Sequence, residues 1–174
     1  MKFLERFSLA VPPDAEPNSI SGSFGIAAGM YAHGLISILD KNLSISALSD
    51  WSQILGVSTV ALASTAFGDV FFWSENDLAI YYLEVQQGEA IRVGNNIAMF
   101  FEEFLTAENI INQVLRSDDF KKIRSKGEGL KYGECYIARP WQMLGGDGDL
   151  ESYQRGDLDV YLSLTGKTIC AQLG

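Results

Sequence analysis

The spacing of apolar positions changes several times along this chain, and each change predicts a different element. Phe3, Leu4 and Phe7 have helical spacing, but Pro12, Pro13 and Pro17 follow and stop any continuation. The glycine-rich stretch from Ser21 to Gly34 predicts a loop, the apolar run Leu35 to Leu39 a strand, and Asp40-Lys41-Asn42 a turn. Leu48, Trp51, Ile54 and Leu55 then share one helical face, with Ser44 or Ser46 placed to cap the helix and Gly56 to end it.

Four β-rich runs come next: Val57 to Thr65, Val70 to Trp73, Leu78 to Val85 and Ala90 to Val93. Their spacers have turn compositions and are short, which favours an antiparallel meander. In the third run Tyr81 and Tyr82 must point to opposite faces, one into the core and the other over the outer face of the sheet. After Asn95 the period becomes helical, because Ile97, Phe100, Phe101, Phe104 and Leu105 fall on one stripe that Ile110, Ile111, Val114 and Leu115 continue. Phe71 or Trp73 is expected to pack beneath Phe100 or Phe104 in one core. Asp118 to Lys126 predicts a short helix with acids leading and bases trailing, as the helix dipole favours. Glu134 to Ala138 predicts a strand stopped by Pro140, Leu144 to Asp149 a loop, and Leu158 to Leu173 a final helix weakened by Gly166. The fold class is therefore α+β: a mainly antiparallel meander packed with helices, then a C-terminal helical region holding a short strand and the final helix. The change of period divides the chain into regions 1–94 and 95–174, expected to pack as one compact unit.

Composition narrows what such a fold can do. The 174 residues, 47% of them hydrophobic, suffice for an ordinary core. No apolar run approaches the roughly 18 to 20 residues that cross a bilayer, and Glu5 and Arg6 interrupt the one near the start, so a cytoplasmic location without a membrane partner is expected. The formal charge of −9 opposes direct binding of nucleic acid and suits a basic protein partner. Charge is also unevenly placed: residues 42–115 hold nine acidic side chains against Arg92 alone, whereas residues 116–131 hold six basic and three acidic groups.

Little chemistry is visible. His33 is the single histidine, which removes mechanisms needing two imidazoles and most metal sites. Cys135 and Cys170 belong to no metal or redox motif and read as buried thiols. Gly22, Gly25 and Gly29 match neither a dinucleotide fingerprint nor a phosphate loop. Asp147, Asp149 and Glu151 begin like a calcium loop, but Ser152 and Leu158 stand where Gly and a bidentate Glu are needed. Glu102 and Glu103, adjacent on a helix, point about 100° apart and cannot share a proton. No cofactor and no enzymatic activity is expected. A hydrolase would require a large polar pocket joining His33 to a carboxylate; a non-catalytic adaptor would share the fold and differ in its partner.

Two segments together carry a resemblance. Thr65-Ala66-Phe67-Gly68-Asp69-Val70-Phe71-Phe72-Trp73, and then Gly129-Leu130-Lys131-Tyr132-Gly133-Glu134-Cys135-Tyr136 with Pro140 and Leu144-Gly145-Gly146, resemble the GAD-like domain family of bacterial type VI secretion immunity proteins. Gln172-Leu173-Gly174 matches the family's end, and the likeness covers roughly residues 33–174. Asp159-Val160-Tyr161-Leu162 stands where the family often has an acidic-His-Leu triplet, and the N-terminal portion is shortened. The resemblance implies a GAD-like region over 1–94, an immunity-type region over 95–174, and a protein that binds and neutralises a cognate toxin in the cytoplasm. Nuclease toxins hold phosphates and are generally basic, so an acidic inhibitor can be steered to them. The residues expected to meet the toxin are Asp147, Asp149, Glu151, Glu75, Asp77 and Tyr82.

Overall fold

A computed structural model describes residues 1–11 and 13–174; Pro12, one of the three expected helix breakers, lies outside them. Its elements in chain order are α1 (Lys2–Arg6), β1 (Leu9–Val11), α2 (Ser19–Ser23), β2 (Gly29–Tyr31), β3 (Ile36–Ile38), α3 (Lys41–Ser46), α4 (Ser52–Leu55), β4 (Thr59–Thr65), β5 (Val70–Ser74), β6 (Ala79–Glu84), β7 (Glu89–Gly94), α5 (Ile97–Met99), α6 (Ser117–Lys126), β8 (Glu134–Ala138), β9 (Tyr153–Asp157) and α7 (Leu158–Leu173). Strands β1 to β7 form one antiparallel sheet in sequence order, and β8 pairs with β9 in a second. The α+β class and the meander read from the sequence are what the chain forms.

Both faces of the large sheet are covered. On one, Phe71 packs on Phe100 and Phe104 with ring centroids 5.3 and 5.9 Å apart, as the helical stripe after Asn95 predicts. Phe3 of α1 joins the same core, 5.0 Å from Tyr31 and 5.5 Å from Phe101. On the other face Trp51, Val70, Phe72 and Leu83 form a second core with Cys135, Leu158, Tyr161 and Leu162. Each core thus draws residues from both sides of Asn95. With both faces covered, no tyrosine is left on an open sheet face: Tyr82 packs on Phe71 and Tyr81 stacks on Phe72, both half-buried.

Several local expectations are corrected. Asp40 does not sit in a free turn; its carboxylate accepts the N–H groups of Asn42 and Leu43 and caps α3, a separate short helix, while the stripe Leu48 to Leu55 forms a 3₁₀ turn, Ser49–Trp51, and α4 with neither Ser44 nor Ser46 as its cap. Ser21 to Gly34 is more than a loop, since Asn18 caps α2 and β2 pairs with β3. The stripe from Ile97 continues in π-helical geometry over Phe100–Phe104 and again over Ile110–Val114. Strand β9 has a polar sequence, Tyr-Gln-Arg-Gly-Asp, and only its partner β8 makes it legible. Cys170 is half-buried rather than buried, its Sγ 3.6 Å from the Asp50 carbonyl.

Gly166 has a packing reason. It lies where α7 crosses the 3₁₀ turn Ser49–Trp51, and a Cβ there would stand 2.9 Å from the Asp50 carbonyl oxygen and from the Trp51 ring. Trp51 is fully buried and donates its indole N–H to the Leu162 carbonyl at 2.8 Å. Gly166→Ala, worth about 1 kcal/mol of stabilisation in an unpacked helix, is therefore expected to destabilise this protein by about 1–3 kcal/mol through overpacking. A urea midpoint above that of the parent would show α7 to be free of this contact.

A cleft where the two regions meet

The β4–β5 turn carries the first stretch of the family resemblance, and β8 the second. The fold brings them together. Gly68 has φ +83°, and its turn is closed by the Gly68 N–H on the Thr65 carbonyl at 3.1 Å and by the Thr65 hydroxyl, which accepts from the Phe67 and Asp69 N–H groups at 3.3 Å. The Tyr136 N–H donates to the Ala66 carbonyl at 2.7 Å, tying β8 to this turn. Gly68 also makes room for the neighbouring core: a Cβ would stand 2.6 Å from the Tyr161 ring and 3.2 Å from the Cys135 sulfur.

Past the turn opens a small polar cleft of about 120 Å³. Asp69 sits in it with both carboxylate oxygens engaged, Oδ2 accepting from the Tyr82 hydroxyl at 2.8 Å and Oδ1 from the Val85 N–H at 2.9 Å. Burial pushes its pKa up to about 6; the two donors pull the other way, Glu84 adds to the rise, and Arg116 opposes it least. Burial, and after it the Asp69 charge, drives the Tyr82 hydroxyl upward as well. On the opposite wall Gln86 donates to the Tyr161 hydroxyl at 2.6 Å and accepts the Met143 N–H at 3.0 Å.

Arg116 enters from the segment before α6 with φ +54°, an unusual backbone for a residue other than glycine. Its guanidinium lies 4.0 Å over the Phe67 ring, donates to the Tyr153 hydroxyl at 3.3 Å and pairs with Asp119 at 3.0 Å. That stack on an aromatic ring is a cation–π contact held in place by a carboxylate.

The expected contact residues do not converge on one surface. Tyr82 lines the cleft. Asp147 and Asp149 are exposed but accept N–H groups of their own loop, from Asp149 and Glu151 respectively. Glu151 pairs with Lys126 across a mixed-charge groove of about 790 Å³, which Asp149, Lys122 and Arg155 also line. Glu75 and Asp77 lie in the β5–β6 turn, at the opposite end of the strands from Gly68 and Asp69. There Asp77 accepts from the hydroxyls of Ser74 and Tyr81, each at 3.1 Å. His33 is exposed and adopts left-handed backbone at φ 61°.

Comparison with known proteins places half of this cleft. Residues 94–168 match the family described as T6SS immunity protein Tdi1, C-terminal. This region is similar to the C-terminal part of a type VI secretion immunity protein. Arg116, Tyr136, Tyr153 and Tyr161 fall within the matched residues, while Asp69, Tyr82 and Glu84 come from the sheet before them. The whole fold is similar to the crystal structure of Atu4351 from Agrobacterium tumefaciens, with a TM-score of 0.64 over 94% of this chain and 86% of that one. At 18% identity the likeness is one of fold. No curated relative matches the chain. Among the described residues no helix is long and apolar enough to cross a membrane.

Asp69, Arg116, Gln86, Tyr153 and Tyr161, which line the cleft, were not among the residues singled out from the sequence. The available signal was Asp69 itself, a carboxylate inside an otherwise apolar run of aromatic residues; Arg116, at the point where the charge balance reverses, was the second.

Proposed function

We propose that this protein is an immunity protein that binds a cognate type VI toxin in the cytoplasm and neutralises it by occupying its surface, without catalysing a reaction. The match of residues 94–168 to an immunity family carries the reading. Regions 1–94 and 95–174 are taken to act as one unit, because both contribute to each core. The partner is taken to be basic, on the strength of the −9 charge and the acidic stretch 42–115. A toxin encoded beside this gene should arrest growth when expressed alone, and co-expression of this chain should restore it. Persistent arrest with both proteins present and folded would reject the role.

The acidic loop supplies a second test. The combined change Asp147→Lys, Asp149→Lys and Glu151→Lys should slow association with a basic toxin about tenfold or more at low salt and flatten its salt dependence, because screening acts mainly on encounter. Dissociation should change less. Stopped-flow rates unchanged at both low and high salt would remove this loop from the interface.

A further inference from the structure

The large sheet ends on two unlike edges. At one, β1 is three residues long, its register shifts between Leu9 and Val11, and the sequence continues with Pro12-Pro13. A short, irregular strand running into proline offers little to a neighbouring chain. At the other, β7 is six residues long and pairs regularly with β6 from Glu89 to Arg92; its one irregularity follows, before Gly94. Among the described residues, no backbone group of Glu89–Gly94 bonds to any element but β6. Its outward N–H and C=O groups are left to solvent along an exposed strand.

Beside that edge the surface is apolar on one face. The β6–β7 register sets Ile91 against Tyr82 and Arg92 against Tyr81, so Ile91 shares the face of Phe71 and Phe104 while Arg92 stands on the other. Ile91 is 48% exposed and Met99 52%, which leaves two large apolar side chains half in water at one edge. A groove of about 350 Å³ opens beside Met99, lined by Ile80, Val93, Phe100 and Phe104. Of its few polar side chains, Asn96 is engaged in capping α5 through the Met99 N–H at 3.0 Å. Such a lining holds no polar ligand in place and suits an apolar side chain presented from outside.

Charge narrows the occupant. Glu89 starts the strand on the Ile91 face and Glu103 borders the groove; both are exposed, and among the described residues neither takes part in an ion pair. A second copy of this chain would bring the same two acids and a net charge of −9 to the junction, so it fits poorly. We infer that β7 receives an extended segment of the toxin as an eighth strand, with an apolar side chain in the groove beside Met99 and basic side chains against Glu89 and Glu103. Backbone pairing of this kind supplies affinity, and side chains at alternate positions supply selectivity. The inference rests on the immunity reading for the source of the strand, and it gives the partner a shape: an extended stretch with its apolar and basic side chains on one face.

The test uses the full chain and the toxin encoded beside its gene. Amide hydrogen exchange across Glu89–Gly94 is followed with and without the toxin. Binding should slow the outward amides of this strand about tenfold or more, because they gain backbone partners. Ile91→Lys, at a half-exposed position, should weaken binding about tenfold or more by placing a charge where the added strand packs, and Ile91→Val should preserve it. The exchange measurement on the parent protein requires no variant to fold. Toxin binding with exchange in β7 unchanged would overturn the inference and leave the immunity reading in place, whereas no binding by the parent would overturn both. Protection that appears without toxin and grows with protein concentration would assign the edge to a second copy and likewise overturn it.

Discussion

Gly68→Ala is expected to destabilise the protein by about 2–4 kcal/mol. Two terms add. Alanine at φ +83° adopts the left-handed region at a cost of about 1 kcal/mol or more. The new Cβ would also meet the Tyr161 ring at 2.6 Å and the Cys135 sulfur at 3.2 Å, in a core where neither can move without disturbing Leu158 and Leu162. The terms separate in a double-mutant cycle with Tyr161→Leu. The smaller side chain should relieve the clash and leave the backbone term, so Gly68→Ala should lose about 1–2 kcal/mol of its effect in that background. Additive costs in urea unfolding would mean that the turn, and not its contact with α7, accounts for the whole penalty.

The second large effect has the opposite sign. The Asp69 pKa is about 6 in the folded protein against 3.8 for an unperturbed carboxyl, so the folded state holds this proton more tightly than the unfolded chain does. Between pH 4 and pH 6 the native state is the more protonated, and Asp69 therefore lowers stability as pH rises through that window and costs a constant amount above it. A two-unit difference corresponds to about 3 kcal/mol; part-exposure of the cleft reduces this to roughly 1–3 kcal/mol. Asp69→Asn keeps an acceptor for the Val85 N–H and presents its amide to the Tyr82 oxygen, so it should be more stable than the parent above pH 6 and nearly equal to it near pH 4. Other carboxylates follow their own curves, so the readout is the difference between the two proteins at each pH, from urea denaturation. A difference that is flat across the window, or in favour of aspartate at high pH, would show that Tyr82, Glu84 and Arg116 together already balance the charge.

Strands β3 to β7 were legible because their pattern is local, whereas the three-residue strands β1 and β2 were not. Alternating runs separated by turn residues specify a meander without information from elsewhere, and the Phe-rich stripe after Asn95 has one sheet face to lie on. What escaped was set by distant partners. Strand β9 has no apolar alternation and exists because β8 lies beside it. Gly166 looked like a weakness in α7 because Trp51, which it accommodates, stands far away in sequence. Asp40 looked like a turn residue although its hydroxyl partner, Tyr132, lies 92 positions away and donates to it at 2.7 Å. The cleft was hidden for the same reason. Its carboxylates and its arginine come from opposite sides of Asn95, and of the expected contact residues only Tyr82 lies in it.

Every strand of the large sheet pairs with its predecessor, and from β4 to β7 the connections are short turns, so that part of the sheet forms from local contacts. The lock between α7 and Trp51 joins residues 111 apart and can form only after both ends of that long loop have met. The two parts therefore govern different rates. Changes within the meander should act on how fast the chain folds, whereas changes at Gly166 or Trp51, where contact is made late, should act on how fast the finished molecule comes apart. The lifetime of the folded state is then expected to depend on that last helix.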